Sequence, residues 1–235
     1  MASPTRFPSG VSTAVKTNPL GNFGMPDPTK WHVFFDDFDT YVAADWTVTA
    51  VGAATRALTD GDGGLLLVTN AAADNDSSQN QKLGESFLLT SGKKTIFKAR
   101  LKVSDATQSD LLIGLAVLDT TLIAAAGDGV TDGVFFQKDD GVATLDVYCQ
   151  KDTTTGQTSA AAIATLVADT FVTLSWYYDG VDSISYYIND VHTGTLSATS
   201  TFLPDTELTV SFAMQNGEAV AKTQTLDYIF VAQER

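Results

Sequence analysis

Several side chains that often build catalytic sites or cross-links are scarce in this sequence. Its 235 residues include one cysteine and two histidines, so a disulfide framework and a cysteine- and histidine-based zinc site are both excluded within one chain. No apolar run approaches the ~18 residues of a membrane-spanning helix, and the N-terminus lacks a charged segment followed by an apolar one. We therefore expect a soluble protein without a Sec-type signal, in which Cys149 is a small core residue beside Leu145 and Val147.

Basic residues are also few. The formal net charge is −14, from 28 acidic and 14 basic side chains. A protein with this large negative charge repels nucleic acids and anionic membranes, so binding to either is disfavoured. The length, with 44% hydrophobic and 18% charged residues, is typical of a single globular domain that buries its own core.

Proline is nearly absent after residue 30, where only Pro204 occurs, whereas five prolines lie before it. Proline fixes φ and donates no backbone hydrogen bond, so residues 1–30 are predicted to be an extended arm. The arm carries the cations Arg6, Lys16 and Lys30 against Asp27. A basic arm on an acidic body suits binding to an acidic partner, and an arm that wraps its own body is the alternative.

From Trp31 onward, short runs rich in β-branched and aromatic residues alternate with Gly, Asp and Asn clusters. This pattern predicts an all-β antiparallel sandwich or jelly roll over residues 31–235. The predicted strands are 32–38, 65–69, 83–89, 95–103, 110–118, 132–138, 143–150, 171–178, 183–188, 191–197, 207–214 and 223–232. Two alanine-rich runs, 120–127 and 159–167, are predicted to form short helical turns.

The stretch VTLSWYYDGVDSISYYINDVHTGTL, residues 172–196, shows the alternation at its clearest. Leu174, Trp176 and Tyr178 fall on one strand face, and Ser175 and Tyr177 fall on the other. The DGVD and ND segments supply turns. These residues are therefore predicted to form a three-stranded meander with one side facing the core.

This meander, together with FFDDFD at 34–39 and TLDYIFVAQER at 225–235, resembles the concanavalin-like jelly roll shared by legume lectins, laminin-G-like domains and family 16 glycosidases. The resemblance covers about residues 31–235 and implies the fold, which serves sugar binding, hydrolysis and structural roles alike. It also implies that a structural calcium ion could bind near the first and last strands, with Asp37 and Asp227 as ligand candidates. The Asp-Gly clusters elsewhere are expected to be turns, because Asp-Gly is common hairpin chemistry and none has EF-hand spacing.

The opening segments RFPSGVSTAV and LGNFGMPDPTKWHVFFDDFD resemble virion proteins of short-tailed marine phages, including those of cyanobacteria, in which a proline-rich arm precedes a jelly-roll body. The resemblance implies a structural protein that decorates or cements the exterior of the capsid. Its partners would be the major capsid protein, other virion proteins and further copies of itself. The expected contact residues of the arm are Arg6, Phe7, Lys16, Phe23, Met25, Lys30 and Trp31.

Catalytic patterns are not found. A family 16 glycosidase needs E-x-D-x-E or E-x-D-x-x-E on one strand, and none of Glu85, Glu207, Glu218 and Glu234 lies in such a pattern. Neighbouring aspartates such as Asp139 and Asp140 point to opposite faces of a strand, so they cannot flank one glycosidic bond. There is no G-x-S-x-G for a serine hydrolase. We therefore expect no enzymatic activity.

Two surfaces are candidates for binding. A polar and aromatic sheet face is predicted from Phe135, Gln137, Tyr148, Gln150, Ser175, Tyr177 and Tyr187. It suits a glycan, as in a carbohydrate-binding module of a phage fibre or tail, or a protein interface, although strand propensity alone would also explain it. Lys98, Arg100 and Lys102 share one face of a second strand, either as a contact for an acidic partner or paired across strands with aspartates.

Overall fold

The computed structural model describes residues 28–124, 127–152 and 156–235. Within these ranges the chain forms two large antiparallel sheets, one separate two-stranded hairpin and one short 3-10 turn at Ala43–Asp45, and no helix is long and apolar enough to cross a membrane. In chain order the strands are β1 (Trp31–Asp36), β2 (Trp46–Val51), β3 (Thr55–Thr59), β4 (Leu65–Thr69), β5 (Ser77–Lys82), β6 (Thr95–Val103), β7 (Ser109–Ala116), β8 (Ile123–Ala124), β9 (Gly127–Asp128), β10 (Gly133–Lys138), β11 (Thr144–Lys151), β12 (Gly156–Thr165), β13 (Val172–Tyr178), β14 (Ser183–Ile188), β15 (Val191–Ser197), β16 (Thr209–Asn216) and β17 (Thr223–Glu234).

One sheet has eight strands and contains both ends of the described chain. Its order is β15-β14-β13-β6-β17-β4-β3. Strand β17 is long enough to pair with β4 over Thr223–Leu226 and with β1 over Ile229–Glu234, so the first and last strands lie side by side. A register shift between Leu226 and Tyr228 places Asp227 in a bulge.

The other sheet has seven strands in the order β12-β11-β10-β7-β16-β5-β2. The two sheets pack through their apolar faces into one core, in which Phe97 stacks on Trp176 at 5.8 Å and Trp46 contacts Phe212 edge-on at 5.2 Å. Cys149 is fully buried in this core, as expected. The predicted antiparallel β-sandwich is confirmed.

The alternation in residues 172–196 is also confirmed. Leu174, Trp176 and Tyr178 are fully buried, and Asn189 and Asp190 both adopt positive φ in the turn between β14 and β15. Asparagine and aspartate tolerate this region better than other non-glycine residues, which explains the tight turn.

Three local predictions were wrong. Residues 83–89 form no strand and contribute only an isolated bridge from Phe87 to Leu208, whereas the polar run SSQNQK just before them forms β5. The alanine-rich run 159–167 lies largely in β12, which pairs with β11 along the edge of the seven-stranded sheet. In the run 120–127, Ile123–Ala124 pair with Gly127–Asp128 as a small hairpin. Tertiary pairing overrides the helical propensity of alanine in both runs.

Candidate functional site

The outer face of the seven-stranded sheet is the side turned away from the core. Antiparallel register aligns its side chains into rows that cross the strands. One row contains Gln79, Ala213, Leu112, Gln137 and Asp146, and the next contains Gln81, Ser211, Gly114, Phe135 and Tyr148. Apolar residues therefore occupy the middle of this face, and polar residues lie towards both sides.

The described residues of the connection between β7 and β10, 117–124 and 127–132, pack over the middle of this face, and we call them the covering loop. Its side chains Leu122, Ile123 and Val130 are buried in a second apolar cluster, separate from the main core. On the sheet side, the cluster consists of Leu112, Ala116, Phe135 and Ala213, with Tyr148 packed against it. The chain thus fills the centre of its own sheet face.

Glutamines hold the backbone of the covering loop on both sides. Gln81 donates from Nε2 to the carbonyl of Val117 at 2.9 Å and accepts at Oε1 from the amide of Asp119 at 2.9 Å. Gln79 accepts a hydrogen bond from the amide of Leu122, and Gln150 donates to the carbonyl of Val130. Because all three glutamine side chains are buried, losing these bonds would leave polar groups unsatisfied.

The part of the outer face beyond the covering loop is polar, and we call Gln137, Asp139, Asp146 and Tyr148 the uncovered patch. The Tyr148 ring stacks on Phe135 at 5.4 Å, and its hydroxyl donates to Asp146 Oδ2 at 3.3 Å. Asp146 Oδ1 accepts from the amide of Ala162 at 2.7 Å, which fixes the carboxylate.

Gln137 is the least satisfied member of the uncovered patch. Its Nε2 donates to Asp139 Oδ1 at 2.6 Å, but its buried Oε1 has no hydrogen-bond partner within the described part of the chain. Asp139 is exposed, and Asp146 and Tyr148 are half-buried, so two carboxylates of the patch can accept hydrogen bonds from hydroxyl groups and one ring can stack against a sugar. The Gln137 oxygen is buried and out of reach of a ligand.

A buried lysine organises the hairpin next to the uncovered patch. Lys138 Nζ donates to the carbonyls of Thr107, Asp139 and Val142 at 3.0–3.2 Å and also to the carbonyl of Ser109. Its side chain is almost fully buried, and burial lowers the pKa of the ammonium. The lysine joins the start of β7 to the turn between β10 and β11.

Asp110 lies beside this hairpin on the outer face. Burial raises the pKa of its carboxyl, and the neighbouring carboxylates of Asp140 and Asp139 raise it further. Its Oδ1 accepts from the amide of Asp140 at 2.7 Å.

The predicted polar face was wrong as a single surface. Phe135, Gln137, Tyr148 and Gln150 lie on the outer face of the seven-stranded sheet, but Ser175, Tyr177 and Tyr187 lie on the outer face of the eight-stranded sheet. Alternation assigns each residue to a strand face, but it does not say which sheet the strand joins. Phe135 and Gln150 are moreover buried, because the covering loop packs over them.

The cationic strand face belongs to the eight-stranded sheet, where cross-strand pairing explains two of its three cations. Lys98 Nζ lies 2.6 Å from Asp190 Oδ1, and Arg100 pairs with Asp227. The guanidinium of Arg100 also lies 4.2 Å from the ring centroid of Phe171. The contact with an acidic partner stays a prediction.

The calcium candidates are not brought into a metal site. Asp227 is engaged by Arg100, and nowhere in residues 28–124, 127–152 and 156–235 do three Asp, Glu, His or Cys side chains gather as a group that could hold a metal ion. Asp37 directly follows β1 and is partly buried. The geometry of the described residues therefore gives the predicted ion no ready-made carboxylate cage.

Most of the predicted contact residues of the arm lie outside the described residues, namely Arg6, Phe7, Lys16, Phe23 and Met25. Lys30 is exposed, and its carbonyl accepts from the Arg235 amide at 2.9 Å. Trp31 begins β1 opposite Glu234 and is partly buried. The division into arm and sandwich stays a prediction, although the first strand begins where the sandwich was predicted to start.

Two buried polar groups were missed at the sequence level. Lys138 binds the carbonyls of Thr107 and Ser109, some thirty residues earlier, as well as two nearby carbonyls. Lys222 pairs with the distant Asp105 at 2.7 Å and with the nearby Glu218 at 2.5 Å. Lys138 ends a run of buried β10 residues, GVFFQK, and this position in an apolar strand is the signal that could have identified it.

Comparisons with known proteins support the fold. No protein-family model matches the sequence, and no curated protein matches it. In structure, the chain is similar to the endo-1,3-beta-glucanase from Streptomyces sioyaensis (TM-score 0.61, 14% identity, covering 89% of this chain and 99% of the glucanase). It is also similar to peanut lectin (TM-score 0.58, 11% identity, covering 87% and 97%) and to the potassium-bound carbohydrate recognition domain of Emp46p (TM-score 0.53, 10% identity, covering 80% and 88%). The concanavalin-like jelly roll is thereby confirmed, in a fold that enzymes and lectins share.

Proposed function

We propose that this chain is a non-catalytic structural protein of a phage particle that decorates or cements the outside of the capsid. The observation that carries the proposal is the covering loop, which buries the centre of the broad sheet face under the protein's own side chains. A polysaccharide chain cannot lie across the centre of that face while the loop covers it. The resemblance of the first 39 residues to virion proteins supports the particle assignment.

The glutamates support a non-catalytic role. Glu85 accepts from the amide of Leu118 at 2.5 Å and so helps to fix the covering loop. Glu218 pairs with Lys222, and Glu234 accepts from the amide of Lys94 at 3.0 Å. Glu207 lies in the connection before β16. These side chains stabilise loops and strand ends, and the roles of nucleophile and acid have no glutamate pair to carry them.

The arm would provide the main contact with the shell. Arg235 Nε donates to the carbonyl of Pro28 at 3.1 Å, and the Arg235 amide binds Lys30, so the arm leaves the sandwich at a fixed point. Beyond that point, Arg6 and Lys16 would bind acidic groups of the major capsid protein, and Phe7 would bury apolar area. Copies of the chain arranged around the shell would add contacts to one another.

The test is co-sedimentation with capsids that lack this protein. Full-length protein should bind saturably and more weakly at high salt, since the arm is basic. Deleting residues 2–28 should abolish binding while leaving the sandwich folded. Equal binding by the deletion variant would reject the arm as the contact, and no binding by folded full-length protein would reject the capsid assignment.

A second function is favoured by the uncovered patch. A glycan on a host surface could donate hydroxyl hydrogen bonds to Asp139 and Asp146 and stack against Tyr148, in which case the protein would serve on a fibre or tail. The lectin and carbohydrate recognition domain with the same fold support this alternative.

Glycan arrays would test the alternative. Asp146→Asn and Tyr148→Ala should lose any glycan signal, whereas Tyr177→Ala and Tyr187→Ala, on the other sheet, should keep it. Loss only in the second pair would move the site to the eight-stranded sheet, and the absence of signal in the parent protein would reject glycan binding. A calcium or potassium ion, if one is bound, should raise the unfolding temperature when added to dialysed protein.

A further inference from the structure

Six aspartates of this sequence are followed directly by glycine, and one asparagine is as well. The Asp-Gly pairs begin at residues 60, 62, 128, 132, 140 and 179, and the Asn-Gly pair begins at residue 216. Because glycine has no Cβ, its backbone amide can come close to the side chain that precedes it. In such a pair the amide nitrogen can attack the side-chain carbonyl carbon, provided that both groups are free to move.

The fold holds the Asn-Gly pair at both reacting groups. Asn216 is fully buried, and its Nδ2 donates to the carbonyls of Ala71 and Ala73 at 2.7 and 3.0 Å. The amide of Gly217 donates to the carbonyl of Gln108 at 3.1 Å. The side chain and the amide that would react are therefore both fixed in place.

Four of the Asp-Gly pairs are also held. Asp179 Oδ1 accepts from three amides of its own turn at 2.8–3.2 Å. The amide of Gly129 donates to a carbonyl of the covering loop at 3.0 Å, and the amide of Gly141 donates to Thr107 at 2.9 Å. Asp132 is buried, and the glycine after it lies in β10, between β7 and β11. Each hydrogen bond that must break before the attack slows it by about tenfold.

The two remaining pairs lie together in the loop DGDGG between β3 and β4, residues 60–64. Asp60, Gly61, Asp62 and Gly63 are all exposed. Among the residues that the structure describes, neither of these carboxylates and neither of the following amides has a hydrogen-bond partner. Strands β3 and β4 are paired as far as the loop, so this freedom is confined to the loop itself.

We propose that Asp60 and Asp62 are sites of spontaneous conversion to isoaspartate. The amide nitrogen of the following glycine bonds to Cγ of the aspartate, and the carboxyl hydroxyl leaves with the amide proton as water. The product is a five-membered succinimide ring. Water then adds at the main-chain carbonyl carbon of the ring and breaks its bond to nitrogen. The main chain now runs through Cβ and Cγ, a carboxylate remains on Cα, and the mass of the protein is unchanged.

Each conversion lengthens the main chain of the loop by one carbon atom. Gly64, at the end of the loop, is buried against the backbone of Phe38, whereas residues 60–63 face water, so the extra atom projects outward. Strand β3 is the last strand of its sheet, and no further strand is displaced. The hairpin therefore changes shape while the sandwich keeps its fold. This goes beyond the proposed capsid role, because the reaction depends only on the loop.

Prolonged incubation of the full chain at neutral pH tests the proposal, with isoaspartate located by fragmentation mass spectrometry of its peptides. The double variant Asp60→Glu and Asp62→Glu keeps both charges but would need a less favoured six-membered ring. It should lower the total isoaspartate at least about tenfold. The matched control is Asp140→Glu, since Asp140 is also exposed and followed by glycine, but that glycine amide is held. This control should form as much isoaspartate as the parent protein.

Incubation in urea separates the effect of the fold from that of the sequence. In the unfolded chain, all six Asp-Gly pairs should convert at similar rates, and Asn216 should react as well, with loss of ammonia. Isoaspartate confined to residues 60–62 in the folded protein and spread over all the pairs in urea supports the proposal. Equal amounts in the parent and the double variant would overturn it. So would a folded protein that forms none in the loop, or that forms it evenly over the six pairs.

Discussion

The outer faces of the two sheets differ in how far the chain covers them. On the seven-stranded sheet, the chain folds the covering loop back over the centre and buries Leu122, Ile123 and Val130 there. On the eight-stranded sheet, Phe35 stays 57% exposed, and the cations Lys98 and Arg100 are paired on the surface. One face is thus part of the folded interior, and the other is available for contacts.

Strand β5 of the covered sheet shows that a strand of polar residues can be buried. Every residue of β5 except Lys82 is buried. Gln79 and Gln81 turn outward to the covering loop, while Ser78 and Asn80 turn inward, where both accept hydrogen bonds of 2.5 Å from the Arg56 guanidinium. The chain satisfies these groups with its own donors and acceptors, so their polarity does not require water.

The two sheets should differ most in the free energy of unfolding that is lost when a lysine is replaced, because one lysine is buried and the other is exposed. Lys138→Met should lower the free energy of unfolding by about 3–5 kcal/mol, because four backbone carbonyls lose their charged donor. Lys98→Met removes an exposed ion pair and should cost less than about 1 kcal/mol. Urea denaturation with an unchanged m-value measures both, and equal losses would contradict the structural role given to Lys138.

A somewhat smaller effect is expected from the apolar residues on the two outer faces. Leu122 is fully buried beneath the covering loop, so Leu122→Ala should cost about 2–4 kcal/mol. Phe35→Ala, on the open face, should cost about 1 kcal/mol or less, since most of its ring is already in water. Thermal unfolding of both variants would reveal the difference. A neutral Leu122→Ala variant would mean that the loop does not pack on the sheet in solution.

The smallest effect concerns acid stability. The hydrogen bond from Lys222 lowers the pKa of Asp105 from its ordinary value of 3.8 to about 2. A carboxyl whose pKa is lowered by folding stabilises the protein above pH 3.8, and this contribution declines as the pH falls towards 2. Asp105 is partly exposed, so solvent screening reduces the contribution to about 1 kcal/mol.

Asp105→Asn should accordingly flatten the loss of stability between pH 4 and pH 2. Denaturation midpoints measured at several pH values give the slopes of both proteins, and parallel slopes for the parent and Asp105→Asn would contradict the assignment.

The sequence predicts the strands well where alternation is strong. The ranges of β4, β6, β14 and β15 agree residue for residue with the prediction. Apolar and polar residues alternate in β6 and β14, whereas β4 is a short apolar run. Strand β5 was missed because burial of its glutamines depends on a loop some forty residues later. Local propensity carries no information about such distant partners.

The candidate site was only partly predictable. Gln137 and Tyr148 were selected for their chemistry, and both belong to the uncovered patch. Their separation from Tyr177 and Tyr187 depends on which strands pair, and that is decided by contacts between distant parts of the chain. Lys138 was overlooked because its four carbonyl partners are backbone atoms, which any sequence would supply.

The Lys138 ammonium occupies the centre of four carbonyl oxygens, as a bound metal ion does in other loops. A free ion dissociates, and its contribution to stability varies with its concentration in the medium. The Lys138 ammonium is covalently attached and cannot diffuse away. The hairpin beside the uncovered patch therefore keeps its shape in dilute and in salt-rich water alike, and a chelator has nothing there to remove.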